Sequence, residues 1–336
     1  MKAIFRLLLL SAIVIAALGW WVFFTNNLNA TKNRVSINIP TGSTLADVKK
    51  ILAEKEILKS PFSFDLAVQW KGYINVKAGH YVFNKTMNNR ELVNMLKSGL
   101  QTPVKLIIYN IRTKEEFASL VGRTLEIDST ELLEKLNNDD FCNAYRLNTE
   151  NILSHFITDN YEFYWNTSLD TFLKKMNQSH DNFWQGSRLA KAAALGYKTS
   201  EIVTLASITE KECMREKELP TVAGVYLNRL KINMPLQADP TLVFALKDFE
   251  ARRVTNYHKE YDSPYNTYMH TGLPPGPICM PRKKSIDAVL NAEGHSYLYF
   301  CANPDMSGYS VFSKTLDEQN KVAALYRKKL NEMNVH

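Results

Sequence analysis

Cysteine is scarce. Four residues, Cys142, Cys213, Cys279 and Cys301, stand far apart in 336, with no C-x-x-C pair and no histidine spacing suited to zinc. They read as buried thiols or at most one or two disulfides, and neither a metal site nor a cofactor is expected. Long one-sign charge runs are missing as well. Lys+Arg 41 against Asp+Glu 34 leaves a formal +7 that is scattered, with no basic arm, so nucleic acid is not an expected partner. There is no internal repeat. Beyond the first two dozen residues no apolar run is long enough to span a bilayer. At 45% apolar and 22% charged residues, disorder and low complexity are excluded across most of the length, which suits about two domains.

The apolar run that is present lies at the N-terminus. Lys2 and Arg6 precede LLLLSAIVIAALGWWVFF (7–24), uncharged and ending in Trp20, Trp21, Phe23 and Phe24. That length crosses a hydrocarbon core with an aromatic belt at the far interface. A cleaved secretory signal begins the same way, but bulky tryptophans stand where its small-residue cleavage site would lie. The expectation is a cytoplasmic tail and transmembrane anchor over 1–25. The chain would then be a single-pass protein of the inner (plasma) membrane, its working part on the periplasmic, extracytoplasmic side.

Residues 26–34 are polar and read as a linker. VSINIP alternates like a strand, Thr44 caps an amphipathic helical pattern, and a second helix is predicted from Pro61 to a stop at Gly72. AGHYVF is again strand-like, so 35–85 forms a small α+β module. A helix (NNRELVNMLKSG), a strand (VKLIIYN) and helices starting near Thr113 and Ser129 occupy the connecting region, 86–185. Its aromatics, Tyr161, Phe163, Tyr164, Trp165, Phe172, Phe183 and Trp184, suit either core packing or a wall on which sugars stack.

TSEIVTLASITEKE (199–212) reads as a helix capped by Ser200, apolar or small from Ile202 to Ile208 and therefore buried on most sides. A glutamate at the end of such a helix is costly unless paired or protonated. Glu210 and Glu212 lie roughly 200° apart around the axis, so at most one faces a given cleft. On composition alone a Glu-Lys-Glu end is more often a solvated helix terminus. GVYLNRL, MPLQADPTLVFAL and the Pro/Gly-dense SPYNTYMHTGLPPGPICMP follow, then SYLYFCANP and a C-terminal amphipathic helix. Tyr, Asn and Thr in a rigid loop supply hydrogen bonds to hydroxyl and acetamido groups, or simply a structural loop.

In order and spacing, LASITEKE, VYLNRL, LQADPT, SPYNTY, TGLPPGPI and YLYF followed by FSKTLDEQN resemble the membrane-anchored endolytic murein transglycosylases, the MltG/YceG-like family. Upstream, VSINIPTGSTLADVKKILAEKEILKSP to AGHYVF resembles that family's LysM-like subdomain. The resemblance implies an α+β fold class: the anchor, the LysM-like subdomain, and a mixed α/β catalytic domain over 186–336 with a lysozyme-like cleft. It implies cleavage of the MurNAc–GlcNAc bond without water, leaving 1,6-anhydro ends, beside peptidoglycan synthases. It places the family's catalytic glutamate on Glu210, whose loss should abolish cleavage while that of Glu212 should matter much less. Gln237, Asp239, Tyr265, Asn266, Thr267 and Tyr268 are expected to position substrate, Asp239 serving binding or local structure. Three places depart from the family pattern: Thr158 or Asp159 where a proline is usual, and Ser310 and Gln319 where histidines are frequent. The rival readings are a non-catalytic glycan-binding scaffold and a muramidase using Asp239 or Glu212 with water; product chemistry separates them.

Overall fold

The computed structural model describes residues 2–29, 34–251 and 254–333. The chain forms two compact units: one of Met1–Leu106, Val121–Ile127 and Glu162–Ser168, the other of Ile107–Leu120, Asp128–Tyr161 and Leu169–His336. The segment 35–85 read from the sequence falls within the first unit and 186–336 within the second, while 86–185 is divided between them. In chain order the first elements are α1 (Lys2–Phe24), β1 (Arg34–Ile39), α2 (Leu45–Glu54), α3 (Pro61–Lys71), β2 (Gly79–Asn84), α4 (Asn89–Ser98) and β3 (Val104–Ile107). Next come α5 (Lys114–Thr124), α6 (Ser129–Leu136), α7 (Asp139–Ala144), β4 (Asn160–Phe163), α8 (Leu169–Phe183), α9 (Ser187–Leu195) and α10 (Thr199–Glu212). The remainder are α11 (Leu219–Lys231), α12 (Asp239–Leu246), α13 (Asn256–Lys259), α14 (Lys283–Leu290), β5 (Tyr299–Ala302), β6 (Ser310–Ser313) and α15 (Leu316–Glu332).

In the first unit β1 and β2 pair antiparallel with Ile37 opposite Tyr81. Alternation sends Ile37, Ile39, Tyr81 and Phe83 inward, onto Val48 and Leu52 of α2, Phe64 and Val68 of α3, and Leu92, Val93 and Leu96 of α4. The helix signals read from the sequence act as such. Thr44 and Asp47 close a capping box on α2, and Asn88 and Glu91 close another on α4. Pro61 opens α3, and Gly72 ends it at φ 58°, a conformation a side chain resists. Helix α1 is, among the described residues, the one helix long and apolar enough to cross a membrane, at mean hydropathy 2.5.

Its exit is not the free linker expected over 26–34. Asn27 is buried, with its Nδ2 donating to Asn89 Oδ1 (2.7 Å) and to the Ser60 carbonyl (2.9 Å) while its Oδ1 takes the Ser60 N–H (2.7 Å). Asn89 in turn donates to the Val22 carbonyl at 2.8 Å and to Ser63 Oγ at 3.0 Å. Residues 26–29 are thus part of the module, because buried amides must find partners and these find them across three helices. Residues 30–33 of that expected linker lie outside the described residues.

The second unit is built around α10, whose Ile202, Val203, Leu205, Ala206 and Ile208 are all buried, with α11 and α14 packed on it. Its N-cap is Lys198 rather than Ser200, because the Lys198 N–H donates to Glu201 Oε2 at 2.6 Å. Most of the aromatics between Tyr161 and Trp184 go to packing: Tyr161, Phe163, Phe172, Phe183 and Trp184 are buried, Tyr164 is exposed. All four cysteines are free thiols, Cys142 and Cys279 buried.

Candidate active site

The C-terminal end of α10 meets the first turns of two other helices, and each claims one glutamate. Glu210 belongs to α14. Its Oε2 accepts the Arg282 N–H at 2.8 Å and the Ser285 hydroxyl at 2.5 Å, and its Oε1 lies 3.3 Å from Arg282 Nε. Arg282 also pairs with Glu216 at 2.6 Å. With 9% of its side chain exposed and its lone pairs so occupied, Glu210 caps a helix and lines neither of the two cavities bordered by Arg112.

Glu212 belongs to α12 and to a cavity of about 550 Å³. Arg112, Lys211, Glu212 and Asp239 form its polar wall, and Val243, Phe244, Phe249 and Ile278 its apolar one. The Arg112 guanidinium stands 4.5 Å from the centre of the Phe249 ring, and Lys211 Nζ is held by Asn110 Oδ1 at 2.6 Å. Burial pushes the Glu212 carboxyl up to about 7, and the Asp239 carboxylate adds to the rise. The Asp239 N–H, Arg229 and the Tyr226 hydroxyl act the other way and are outweighed. Arg229 is turned to carbonyls, donating to Leu298 at 2.7 Å and Leu236 at 2.7 Å, and so fixes the floor under this wall. A half-buried carboxyl that holds its proton near neutrality at the edge of a cavity can donate that proton.

The residues expected to position substrate divide three ways. Asp239 reaches the cavity, with the Tyr268 hydroxyl donating to its Oδ1 at 2.5 Å and Lys259 Nζ 5.0 Å over the Tyr268 ring. Burial and this bond to Asp239 raise the Tyr268 hydroxyl well above its ordinary value, so it remains a donor. Gln237, Asn266 and Thr267 instead build the loop. Asn266 is fully buried and donates to the Lys259 and Tyr261 carbonyls. The Thr267 carbonyl takes the Gln237 N–H at 2.9 Å, and its hydroxyl takes the Ala238 N–H at 3.0 Å and meets Thr241 Oγ1 at 2.9 Å. Gln237 is exposed, at φ 49°. Tyr265 points elsewhere, into a second cavity of about 350 Å³, where its hydroxyl donates to Glu150 Oε2 at 3.2 Å. The two cavities share Arg112 and Phe244 as wall residues.

The Pro/Gly-dense loop is pinned to the same helix: Ser207 Oγ accepts the Ile278 N–H at 3.0 Å. A Cβ on Gly276 would sit 2.1 Å from the Glu150 carbonyl oxygen, so only glycine lets the loop pass there. The departures at Ser310 and Gln319 lie off this cavity. The Ser310 N–H donates to Glu218 at 2.7 Å, and Gln319 donates to the Phe300 carbonyl at 3.0 Å. Thr158 donates to the Pro281 carbonyl at 2.8 Å. Arg112 and Phe249 had no local signal in the sequence, since folding alone brings them to Lys211 and Glu212.

The sequence pattern of the YceG-like family matches residues 37–324. The chain belongs to the YceG-like family. A Bacillus subtilis (strain 168) protein named endolytic murein transglycosylase is 31% identical over 320 residues, 90% of this chain and 87% of that protein. A Streptococcus pneumoniae (strain ATCC BAA-255 / R6) protein of the same name is 25% identical over 90% of this chain, which spans 60% of its length. The crystal structure of a YceG-like protein from Listeria monocytogenes superposes with a TM-score of 0.60 at 29% identity, covering 87% of this chain and 99% of that one. This YceG-like chain therefore shares both pattern and fold with the family whose motifs its sequence displays.

Proposed function

We propose that the protein is a membrane-anchored endolytic murein transglycosylase and that Glu212, not Glu210, is its acid and base. The observation that carries this reading is the position of the Glu212 carboxyl. It lies on the wall of the cavity that Arg112, Lys211 and Asp239 also line, protonated up to about pH 7, while Glu210 is committed to Arg282 and Ser285. The protonated Glu212 gives its proton to the glycosidic oxygen as the bond from the MurNAc anomeric carbon breaks. The MurNAc 6-hydroxyl oxygen then bonds to that carbon, its proton passes to the Glu212 carboxylate, and a 1,6-anhydro end results with the acid restored. An internal hydroxyl removes the need for a second carboxylate to activate water. Asp239, held by Tyr268, orients and polarises; Arg112 and Lys211 face the substrate from the same polar wall. The small module of the first unit serves as the LysM-like subdomain, and α1 holds the protein in the plasma membrane, facing outward, where it ends strand growth beside peptidoglycan synthases.

A second reading, hydrolysis, draws on the exposed Asp239 carboxylate next to Glu212. Digestion of uncrosslinked glycan strands followed by mass spectrometry decides between them. Internal fragments with anhydro ends, lost in Glu212→Gln and kept in Glu210→Gln, are expected. Products heavier by one water would turn the assignment to a muramidase, and loss in Glu210→Gln alone would return the acid to Glu210.

A further inference from the structure

Helix α3 buries Ser63, Phe64, Ala67 and Val68 and turns its other face to solvent. On that face Phe62 is 67%, Leu66 37% and Trp70 80% exposed, and Ile74, two residues past the Gly72 cap, is 77% exposed. A spacing of four keeps Phe62, Leu66 and Trp70 within roughly 80° of one another around the axis. Water-facing apolar area costs about 25 cal/mol per Å², and a contiguous row of large apolar side chains marks a surface that something covers.

Two observations say what covers it. The row is continuous with α1: the Trp70 ring meets Phe23 edge-on with centroids 6.1 Å apart, and Phe23 sits in the last turn of the apolar helix, beside the exposed Trp20, Trp21 and Phe24. The row is also framed by basic groups. Lys59 precedes α3 and Lys71 ends it; Lys97 Nζ donates to the Lys71 carbonyl at 2.6 Å, and the Arg90 guanidinium stands 5.7 Å from the Phe24 ring centre. Tryptophan and phenylalanine bordered by Lys and Arg fit the boundary between acyl chains and headgroups.

We propose that this face of α3 rests on the bilayer that α1 crosses, with Phe62, Leu66 and Trp70 at the acyl–headgroup boundary and the four basic residues on anionic lipid phosphates. The inference rests on reading α1 as a membrane anchor. The amide clamp of Asn27 and Asn89 on Val22 makes the exit of α1 a fixed joint and holds α3 down beside it.

The test uses the full chain in nanodiscs of phosphatidylethanolamine and phosphatidylglycerol with brominated acyl chains, which quench nearby indoles. In a W20F/W21F variant the remaining tryptophans are Trp70, Trp165 and Trp184, and subtracting the spectrum of W20F/W21F/W70F isolates Trp70. The expected result is a blue-shifted Trp70 emission that loses most of its intensity in brominated discs. Unquenched, solvent-like Trp70 emission would overturn the proposal, and so would blue-shifted but unquenched emission, which would mean that protein covers the face. The single variant W70F keeps Trp20 and Trp21 as controls. If they too escape quenching, the anchor reading has failed and the proposal falls with it; if they are quenched and Trp70 is not, the anchor stands and only the proposal falls.

Discussion

Two glutamates two residues apart on one helix differ in chemistry because different helices begin beside them. The Glu210 carboxylate accepts from Arg282 and Ser285 at the start of α14, so its oxygens are taken up in holding that helix start. Glu212 meets the Asp239 N–H at the start of α12, but burial and the Asp239 carboxylate outweigh that donor and keep its proton on. Glu212→Gln is therefore expected to lower kcat by about 10²–10⁴-fold, the usual contribution of a positioned acid, with glycan binding retained. Glu210→Gln is expected to retain most of the activity and lose about 1–3 kcal/mol of stability, read as a lower urea midpoint, because half-buried Arg282 loses one of its two carboxylate partners and keeps only Glu216. The rate should also report the acid directly: kcat falls as pH rises through about 7, when Glu212 loses its proton. A pH–rate profile flat from 5 to 8 would remove Glu212 from the role. The helical spacing already said that only one of the two could face a cleft. Which one was illegible, because the answer lies in α12 and α14, at least 25 residues downstream in sequence.

At the scale of elements, the loop–helix joint at Ala238 decides where Asp239 and its N–H stand. Thr267→Val keeps the shape but removes the hydroxyl that takes the Ala238 N–H, leaving a buried donor unpaired at a cost of about 1–3 kcal/mol. It is expected to lower the unfolding midpoint and kcat together, while KM for glycan strands changes little, since Thr267 is buried and does not line the cavity that Glu212 borders. Gly276→Ala forces a Cβ onto the Glu150 carbonyl oxygen and should lower the melting temperature by an amount worth about 1–3 kcal/mol. Caps, prolines and glycines made the helix bounds of α2, α3 and α4 readable, because those signals act within four residues of the end they mark. The YNTY loop was readable as rigid and polar, but not for where its side chains turn: Asn266 and Thr267 spend themselves on backbone groups and Tyr265 on Glu150, choices that composition does not encode. The exit of α1 departs from a linker for the same reason. Asn27 looks like a linker residue until Asn89 and Ser60 are seen to satisfy it.

Stability belongs to the whole molecule, and two strongly displaced groups of the second unit pull it in opposite directions. The His155 imidazole is buried between Tyr145 and His180, with ring centroids 4.2 and 4.3 Å away. Desolvation and the neighbouring His180 lower it from 6.5 to about 3. The unfolded chain takes that proton first, so this contribution is complete above 6.5 and is lost as pH falls toward 3. Glu212 is raised from 4.5 to about 7, so the folded chain holds its proton longer. Its contribution is complete below 4.5 and is lost as pH rises through 7. Between pH 4.5 and 6.5 the two slopes oppose, and each is bounded at about 1.4 kcal/mol per pH unit. The carboxylates held low, Asp159 by Lys283 and Glu216 by Lys284 and Arg282, act below this window. Wild-type stability should therefore change little from pH 4.5 to 6.5. Glu212→Gln cannot titrate there, so it exposes the His155 slope and should gain up to about 3 kcal/mol over the same two pH units. Urea unfolding at half-unit pH steps measures both curves. If they run parallel, Glu212 titrates as an ordinary carboxylate and cannot be the proton donor at neutral pH; if they diverge as stated, its proton is held by the fold itself, before any substrate arrives.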